Sequence, residues 1–215
     1  MPILYLHGLG QTPSAWAKTL AHLPQTHKPV CPDLASFHTL SNESASYDTM
    51  YRAFCSSCEA FDEPFALCGL SLGAVLALNY AVDHPERVSA MVLAAPQYNM
   101  PKNLLKIQNI LFKFMPDRAF AGMGLTKQDF ISLTNSMTGL DFTARLDRVI
   151  CPVTVVCGER DGANRKASVK LTELLPNAEF ISVPGAGHEI NVDAPEKLAE
   201  IIEKRLYKST LSCEQ

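Results

Sequence analysis

Residues 65–74 read Phe65-Ala66-Leu67-Cys68-Gly69-Leu70-Ser71-Leu72-Gly73-Ala74. The apolar run at 65–68 has the composition of a short buried strand, and residues 74–80 are mostly strong helix formers with apolar side chains at helical spacing. Between them stands Gly-x-Ser-x-Gly, the pattern in which a serine occupies a sharp strand-to-helix turn. A backbone bent that tightly leaves little room for Cβ atoms beside the serine, and glycine has none. The serine also falls at a helix N-terminus, where free N–H groups and the positive dipole end favour developing negative charge. Five residues can match by chance; a strand before and a helix after make the match informative. The plainer reading of Ser71 is an ordinary helix N-cap.

Outward from this turn, strands and helices alternate. Strand-like runs occupy 2–6, 28–31, 88–95, 152–157 and 178–183; helix-like runs occupy 14–23, 47–61 and 195–207. Such alternation implies βαβ units and a mostly parallel sheet with helices on both faces, an α/β fold. The Ser-rich stretch 35–46 reads as a loop, and the polar residues 208–215 as a frayed end. The alternation breaks at 97–146, where large apolar residues crowd positions 104–115 and 130–133 without a strong strand. The expected organisation is therefore a core of residues 1–96 and 147–215 with a small helical insertion at 97–146.

The composition narrows the class of function. The chain has 215 residues, 47% hydrophobic and 19% charged, as expected of one globular domain with a full core. A net charge of −3 gives no basis for electrostatic capture of nucleic acid or an anionic membrane, so neither is an expected partner. The apolar run at the N-terminus is too short for a signal peptide, and no stretch is long enough to span a bilayer. The expected location is the cytoplasm. Seven cysteines form no disulfide framework. Cys55 and Cys58 are spaced like a redox or metal pair, but they fall inside the 47–61 helix and lack further ligands at matching spacing. Helix packing is the expected role, and no metal site is expected.

A serine hydroxyl needs a base to become a nucleophile, and the base needs an orienting acid. In open α/β sheets such groups gather at the carboxyl ends of strands. The run 152–157 leads into Gly158-Glu159-Arg160-Asp161-Gly162, and the run 178–183 leads into Pro184-Gly185-Ala186-Gly187-His188-Glu189. Ser71, Asp161 and His188 each lie just past a strand, in a Gly-containing loop. Glu159 is a rival acid, and Asp161 has the plainer alternative of capping the next helix. Of the six histidines, His38 is the rival base. His7 matters here through its backbone, His84 reads as a turn residue, and His22 and His27 flank a helix end.

These residues carry a resemblance. Leu6-His7-Gly8, Gly69-Leu70-Ser71-Leu72-Gly73, His84-Pro85-Glu86-Arg87-Val88, the run from Cys151 to Asp161 and Gly185-Ala186-Gly187-His188 stand in the order found in α/β-hydrolases. The chain resembles the small cofactor-free serine esterases of that family, and the 97–146 insertion falls where they carry a lid. The resemblance implies Ser71 as nucleophile, His188 as general base and Asp161, rather than Glu159, as orienting carboxylate. It also implies an oxyanion hole from the backbone N–H groups of Leu9 and Leu72, each donor of this type being worth about 3 kcal/mol. Family members usually have two further strands before the one ending in His-Gly, so a reduced sheet of about six strands is implied. Many also carry Gly-x-Gly after the aspartate matching Asp33, where this chain has Asp33-Leu34-Ala35-Ser36-Phe37.

The expected activity is hydrolysis of a small carboxylic ester or thioester with a hydrophobic acyl portion, through an acyl-enzyme on Ser71 and without a cofactor. The same triad serves lyases, C–C bond hydrolases and acyltransferases. From a different class, a non-catalytic small-molecule-binding protein of this fold stays open. Haloalkane dehalogenation is disfavoured, since relatives of that kind carry aspartate at the nucleophile position. Met100, Met115, Met123 and Met137 have two readings, an adaptable pocket lining or the core of the insertion.

Overall fold

The computed structural model describes residues 1–25, 29–39 and 45–207. Five strands form one sheet in the order β1-β2-β3-β4-β5: β1 Ile3–Leu6, β2 Phe65–Leu70, β3 Val88–Ala94, β4 Val153–Gly158 and β5 Ala178–Val183. Every pairing is parallel. Strands β1, β2 and β4 are buried along their whole length, which is why their sequences are continuous apolar runs instead of alternating ones.

Successive side chains go to opposite faces. Leu4, Leu6 and Leu67 join one core with α3 (Tyr47–Cys58), α4 (Leu72–Asp83) and Leu171 of α7 (Gly162–Leu174). Ile3, Tyr5, Ala66 and Cys68 join the other with Trp16 and α9 (Pro195–Ile202), beside α1 (Ala17–Ala21). All of α4 from Leu72 to Val82 is buried. That burial agrees with its nearly uninterrupted apolar sequence. Cys58 lies in the first core, where burial pushes its thiol up to about 12, and burial likewise raises Cys55. Both thiols are therefore poor sources of thiolate.

The expected strand at 28–31 is reduced to an isolated bridge from Val30 to Leu4, with Lys28 outside the described residues. The cause is local. Pro32, the next residue that could donate to β1, has no N–H, which leaves Val30 to bond Ile3 and Tyr5. The sheet thus has five strands and a one-residue sixth position at its edge. The expected loop at 35–46 contains one helical turn, α2 (Ser36–Thr39). Asp33 nucleates it: its carboxylate accepts from Ala35 N at 3.1 Å and its carbonyl accepts from Ser36 Oγ at 2.6 Å. Residues 40–44 lie outside the described residues, as does the expected frayed end at 208–215. The 14–23 helix opens as a 3₁₀ turn, Pro13–Trp16, before α1.

From β1 the chain runs outward to the Val30 bridge, then returns across β1 to β2 and continues to the far edge. The reversal lies between β1 and β2, a topological switch point of the kind that leaves a crevice at the strands' carboxyl ends. Between β3 and β4, residues 97–146 carry α5 (Lys102–Phe114), a 3₁₀ turn (Asp117–Phe120) and α6 (Lys127–Met137). A bridge between Asn99 and Asp141 pinches the two ends of this segment together. Thr126 and Asp129 form a capping box at the start of α6, and Ser136 Oγ accepts from Tyr47 N at 2.8 Å, tying α6 to α3. A last short helix, α8 (Ile190–Asp193), follows β5.

The turn that starts α4 is where packing is tightest. A Cβ on Gly73 would lie 2.1 Å from the Leu6 carbonyl oxygen, and one on Gly69 would lie 2.4 Å from the Gly73 carbonyl oxygen. Neither neighbour is a flexible side-chain end, so the backbone itself would have to move. Gly73→Ala is expected to lower the unfolding free energy by about 3 kcal/mol, at the upper end of overpacking costs. Urea denaturation checks this; an unchanged midpoint would show that the turn tolerates a side chain.

Candidate active site

Ser71 sits between β2 and α4 with φ 52° and ψ −112°, a conformation that non-glycine residues rarely adopt. The surroundings hold it there. Ser71 N donates to Ala94 O at 2.9 Å, and Ser71 O accepts from Val75 N at 3.0 Å in the first turn of α4. Its side chain caps nothing, so the plainer N-cap reading does not describe it.

Asp161 follows β4, is 6% exposed, and performs two tasks with two oxygens. Oδ1 caps α7 by accepting from Asn164 N at 3.2 Å. Oδ2 is 2.8 Å from Nδ1 of His188, which lies in the loop between β5 and α8. Asn164 Nδ2 is 2.9 Å from both carboxylate oxygens. Burial alone would raise the Asp161 pKa, but the hydrogen bonds from His188 and Asn164 outweigh it and hold the carboxyl below its ordinary value. An ionised Asp161 requires the proton on His188 Nδ1, which leaves Nε2 with a free lone pair. Glu159, the rival acid, instead accepts from Gly185 N at 2.9 Å and so braces the loop that carries His188. His38 has its side chain outside the described residues.

The loop after β1 lies directly against the serine: a Cβ on Gly8 would stand 3.6 Å from Ser71 Cβ. The His7 ring builds this loop. Its Nδ1 donates to Gly8 O at 2.9 Å, and its Nε2 accepts from Leu34 N at 3.1 Å. Both nitrogens are thus used in the neutral form. Burial lowers the His7 pKa from its ordinary value of 6.5, against the raising influence of Gly8 O and Asp33. The side chain therefore has a structural task that its position in His7-Gly8 does not reveal. The N–H groups of Leu9 and Leu72 donate no backbone hydrogen bond among the described residues. Both residues line the same cavity as Ser71 and His188.

That cavity has a volume of about 640 Å³. Ser71, Asp161 and His188 line one side of it; Met100, Leu105, Leu111, Phe112, Phe120 and Phe130 are among the residues of the 97–146 segment that line the other. Phe112, Phe120 and Phe130 pack edge-on, with centroids 5.0–5.8 Å apart. Met100, Met115, Met123 and Met137 all reach the cavity, and Met100 and Met137 are also part of the core. No lysine or arginine lines it among the described residues.

The sequence model of the alpha/beta hydrolase family matches residues 3–201. The chain belongs to that family. Hydrolysis is the general activity that this membership carries. Among its relatives is a putative 2-succinyl-6-hydroxy-2,4-cyclohexadiene-1-carboxylate synthase of Bacillus subtilis, 22% identical over 95% of this chain and 89% of the relative. Another is a putative carbamate hydrolase, RutD, of Escherichia coli, 24% identical over 90% of this chain and 86% of the relative. The solved structure of an enol-lactonase from Burkholderia xenovorans superposes with a TM-score of 0.81 at 14% identity, covering 94% of this chain and 90% of that one. Among the described residues, no helix is long and apolar enough to cross a membrane, and no three His, Cys, Asp or Glu side chains gather to hold a metal ion.

Four polar residues of the site have no motif in the sequence. Gln11 Oε1 accepts from Gly8 N at 3.2 Å, while its Nε2 donates to Glu189 Oε1 at 2.8 Å and to Asn191 Oδ1 at 3.3 Å. Gln11 and Asn191 therefore tie the loop after β1 to the residues just past His188. Gln97 Nε2 donates to Asn164 Oδ1 at 2.7 Å. Each pair joins segments far apart in the chain, so local sequence carries no signal of the contact.

His7 gives the stability of the fold a pH dependence. The unfolded chain takes up a proton near pH 6.5, whereas the folded ring resists it, so this contribution is intact above pH 6.5 and is lost as pH falls towards the lowered folded value. In His7→Gln, whose amide can keep both partners, the fall in unfolding free energy between pH 7 and pH 5 is expected to be shallower than in wild type. Denaturant titrations across that range decide it, and parallel curves would count against a neutral buried His7.

Proposed function

We propose that this protein is a serine hydrolase that cleaves neutral carboxylic esters or thioesters through an acyl-enzyme on Ser71. The observation that carries the reading is the Asp161–His188 hydrogen bond of 2.8 Å at one wall of the cavity that also contains the strained Ser71 turn. In this mechanism the Ser71 hydroxyl attacks the carbonyl carbon while His188 Nε2 takes its proton. Asp161 stabilises the imidazolium that forms and keeps the ring in the reactive tautomer. The unpaired N–H groups of Leu9 and Leu72 receive the oxyanion. His188 then protonates the leaving alcohol or thiol, and water activated by the same nitrogen releases the acid. These steps need no metal or organic cofactor.

The 97–146 segment acts as the lid in this reading, and its Met, Leu and Phe side chains take up the apolar acyl portion of a small-molecule substrate. The Bacillus relative is named for a product that is a carboxylate. A carboxylate placed in this cavity would meet no lysine or arginine among the described residues, and a buried unpaired charge is strongly disfavoured. That argues for an uncharged acyl group here.

Turnover of a short-chain nitrophenyl ester should fall by about 10⁴-fold or more in Ser71→Ala and by about 10³- to 10⁴-fold in Asp161→Asn, which keeps the shape but favours the wrong tautomer. A serine-directed phosphonate should label Ser71 alone. Equal rates in wild type and Ser71→Ala, or a label on Cys55 or Cys58, would overturn the assignment. Acyl charge is tested by nitrophenyl hexanoate against the mono-nitrophenyl ester of adipic acid, which places a carboxylate near the end of a similar chain. The neutral ester should have a kcat/KM about 100-fold higher, from the cost of burying the unpaired charge; comparable values would mean that the cavity does not exclude anions.

A further inference from the structure

Asn164 sits in the first turn of α7, and Gln97 sits at the root of the 97–146 segment just past β3. Both line the cavity. Asn164 presents its amide nitrogen 2.9 Å from each oxygen of Asp161 and 3.1 Å from His188 Nδ1. Nδ1 spends its hydrogen on Asp161, so it cannot accept another, and the Asn164 amide hydrogens are directed to the carboxylate. An amide is close to symmetric in shape. Rotated by half a turn, Asn164 would aim its oxygen at Asp161 and repel it. Asp161 favours the productive orientation, and Gln97 Nε2, donating to Asn164 Oδ1 at 2.7 Å, reinforces it from the other end of the amide.

We propose that Gln97 and Asn164 form a positioning relay, in which Gln97 fixes the Asn164 amide and Asn164 fixes the Asp161 carboxylate that orients His188. The relay rests on the acyl-enzyme reading above. It also joins the root of the helical segment to the acid. A displacement at Gln97 frees the Asn164 amide to turn, and the carboxylate then loses the donors that set its plane. Both residues are positioning residues, since they act on the reaction through Asp161 and His188.

The charge environment makes the relay measurable. The titratable and charged groups around Asp161 are His188, the buried Cys157 thiol, whose sulfur is 3.8 Å from Asp161 O, and Arg165, whose guanidinium donates to Ser182 Oγ at 2.9 Å. From the β3 side the neutral Gln97 reaches the pair through Asn164. Removing the Asn164 donors destabilises the carboxylate, so the Asp161–His188 pair binds its proton more tightly. Whichever partner is protonated first, the acidic limb of kcat/KM moves to higher pH.

The test compares wild type, Ser71→Ala, Asn164→Ala, Gln97→Met and Gln97→Glu on a neutral nitrophenyl ester across pH. Asn164→Ala should lose about 10- to 100-fold in kcat with KM nearly unchanged, the scale of a small misplacement of a reacting group. Its acidic limb should shift upward. Gln97→Met, which removes the donor at similar volume and leaves the α7 cap intact, should show a smaller loss with the same signature. It keeps the test decisive if Asn164→Ala fails to fold. Gln97→Glu, which can only accept, should pull the Asn164 nitrogen away from Asp161 and lose more activity than Gln97→Met. Unchanged kcat with an unmoved limb overturns the relay, as does a loss confined to KM, which would mean direct substrate contact. Full activity in Ser71→Ala overturns the acyl-enzyme reading and the relay with it; loss in Ser71→Ala beside a wild-type Asn164→Ala overturns the relay alone.

Discussion

The carbonyl of Leu6 occupies the space where a side chain on residue 73 would have to go. This backbone-to-backbone contact lets the N-terminus of α4 press against the end of β1 while the chain leaves β2. With β1 and β2 adjacent in the sheet, the turn between β2 and α4 cannot relax, and Ser71 is held at positive φ. Strain of about 1–3 kcal/mol at one residue persists only when its neighbours over-determine it. Here they do, through Ala94, Val75 and the two glycines. The serine is thereby placed at the start of α4, beside the loop that follows β1.

Beyond that turn the site is held largely by neutral hydrogen-bonding groups, with the Glu159 and Glu189 carboxylates bracing the loop around His188. His7 is uncharged and spends both nitrogens on backbone; the amides of Gln11 and Asn191 bridge loops far apart in the chain, and those of Gln97 and Asn164 join the root of the 97–146 segment to α7. Amides impose geometry without adding charge. Of the described residues lining the cavity, Asp161 and His188 are the pair that can carry charge, and the remainder are mostly apolar, with Gln97, Gln108, Thr134 and Asn164 among them. A low-polarity chamber strengthens each hydrogen bond within it and penalises any unpaired polar group brought in. In the proposed reading, the positioning of His188 and a preference for neutral acyl groups thus have one physical origin.

Legibility in the sequence followed the locality of each constraint. Ser71, Asp161 and His188 are readable because each belongs to a short strand–Gly–loop pattern whose geometry is decided within a few residues. Parallel strands buried on both faces announce themselves as apolar runs, as β1, β2 and β4 do, and all five strands fall within or close to their expected positions. The misreadings are also local in origin. At 28–31 the β-branched Val30 suggests a strand, but Pro32 withholds the N–H that would continue the ladder to β1. At 35–46 serine content suggests a loop, but Asp33 supplies the cap for α2. Glu159 and Asp161 are two residues apart and equally acidic, and only tertiary structure sends one to Gly185 N and the other to His188. Gln11, Gln97, Asn164 and Asn191 were invisible because each works through a partner in another segment.

The same long separations divide the site into two parts. Tyr5 and Tyr207 share a hydrogen bond across 202 positions, and Gln11 reaches Glu189 across 178. The brace of the loop after β1 lies beyond His188, in Glu189 and Asn191. The contacts that shape the Ser71 turn lie within residues 6–94 and include neither Asp161 nor His188. The Ser71 turn therefore depends on the first half of the sheet alone, whereas the contact between Asp161 and His188 depends on β4, β5 and the loops that follow them.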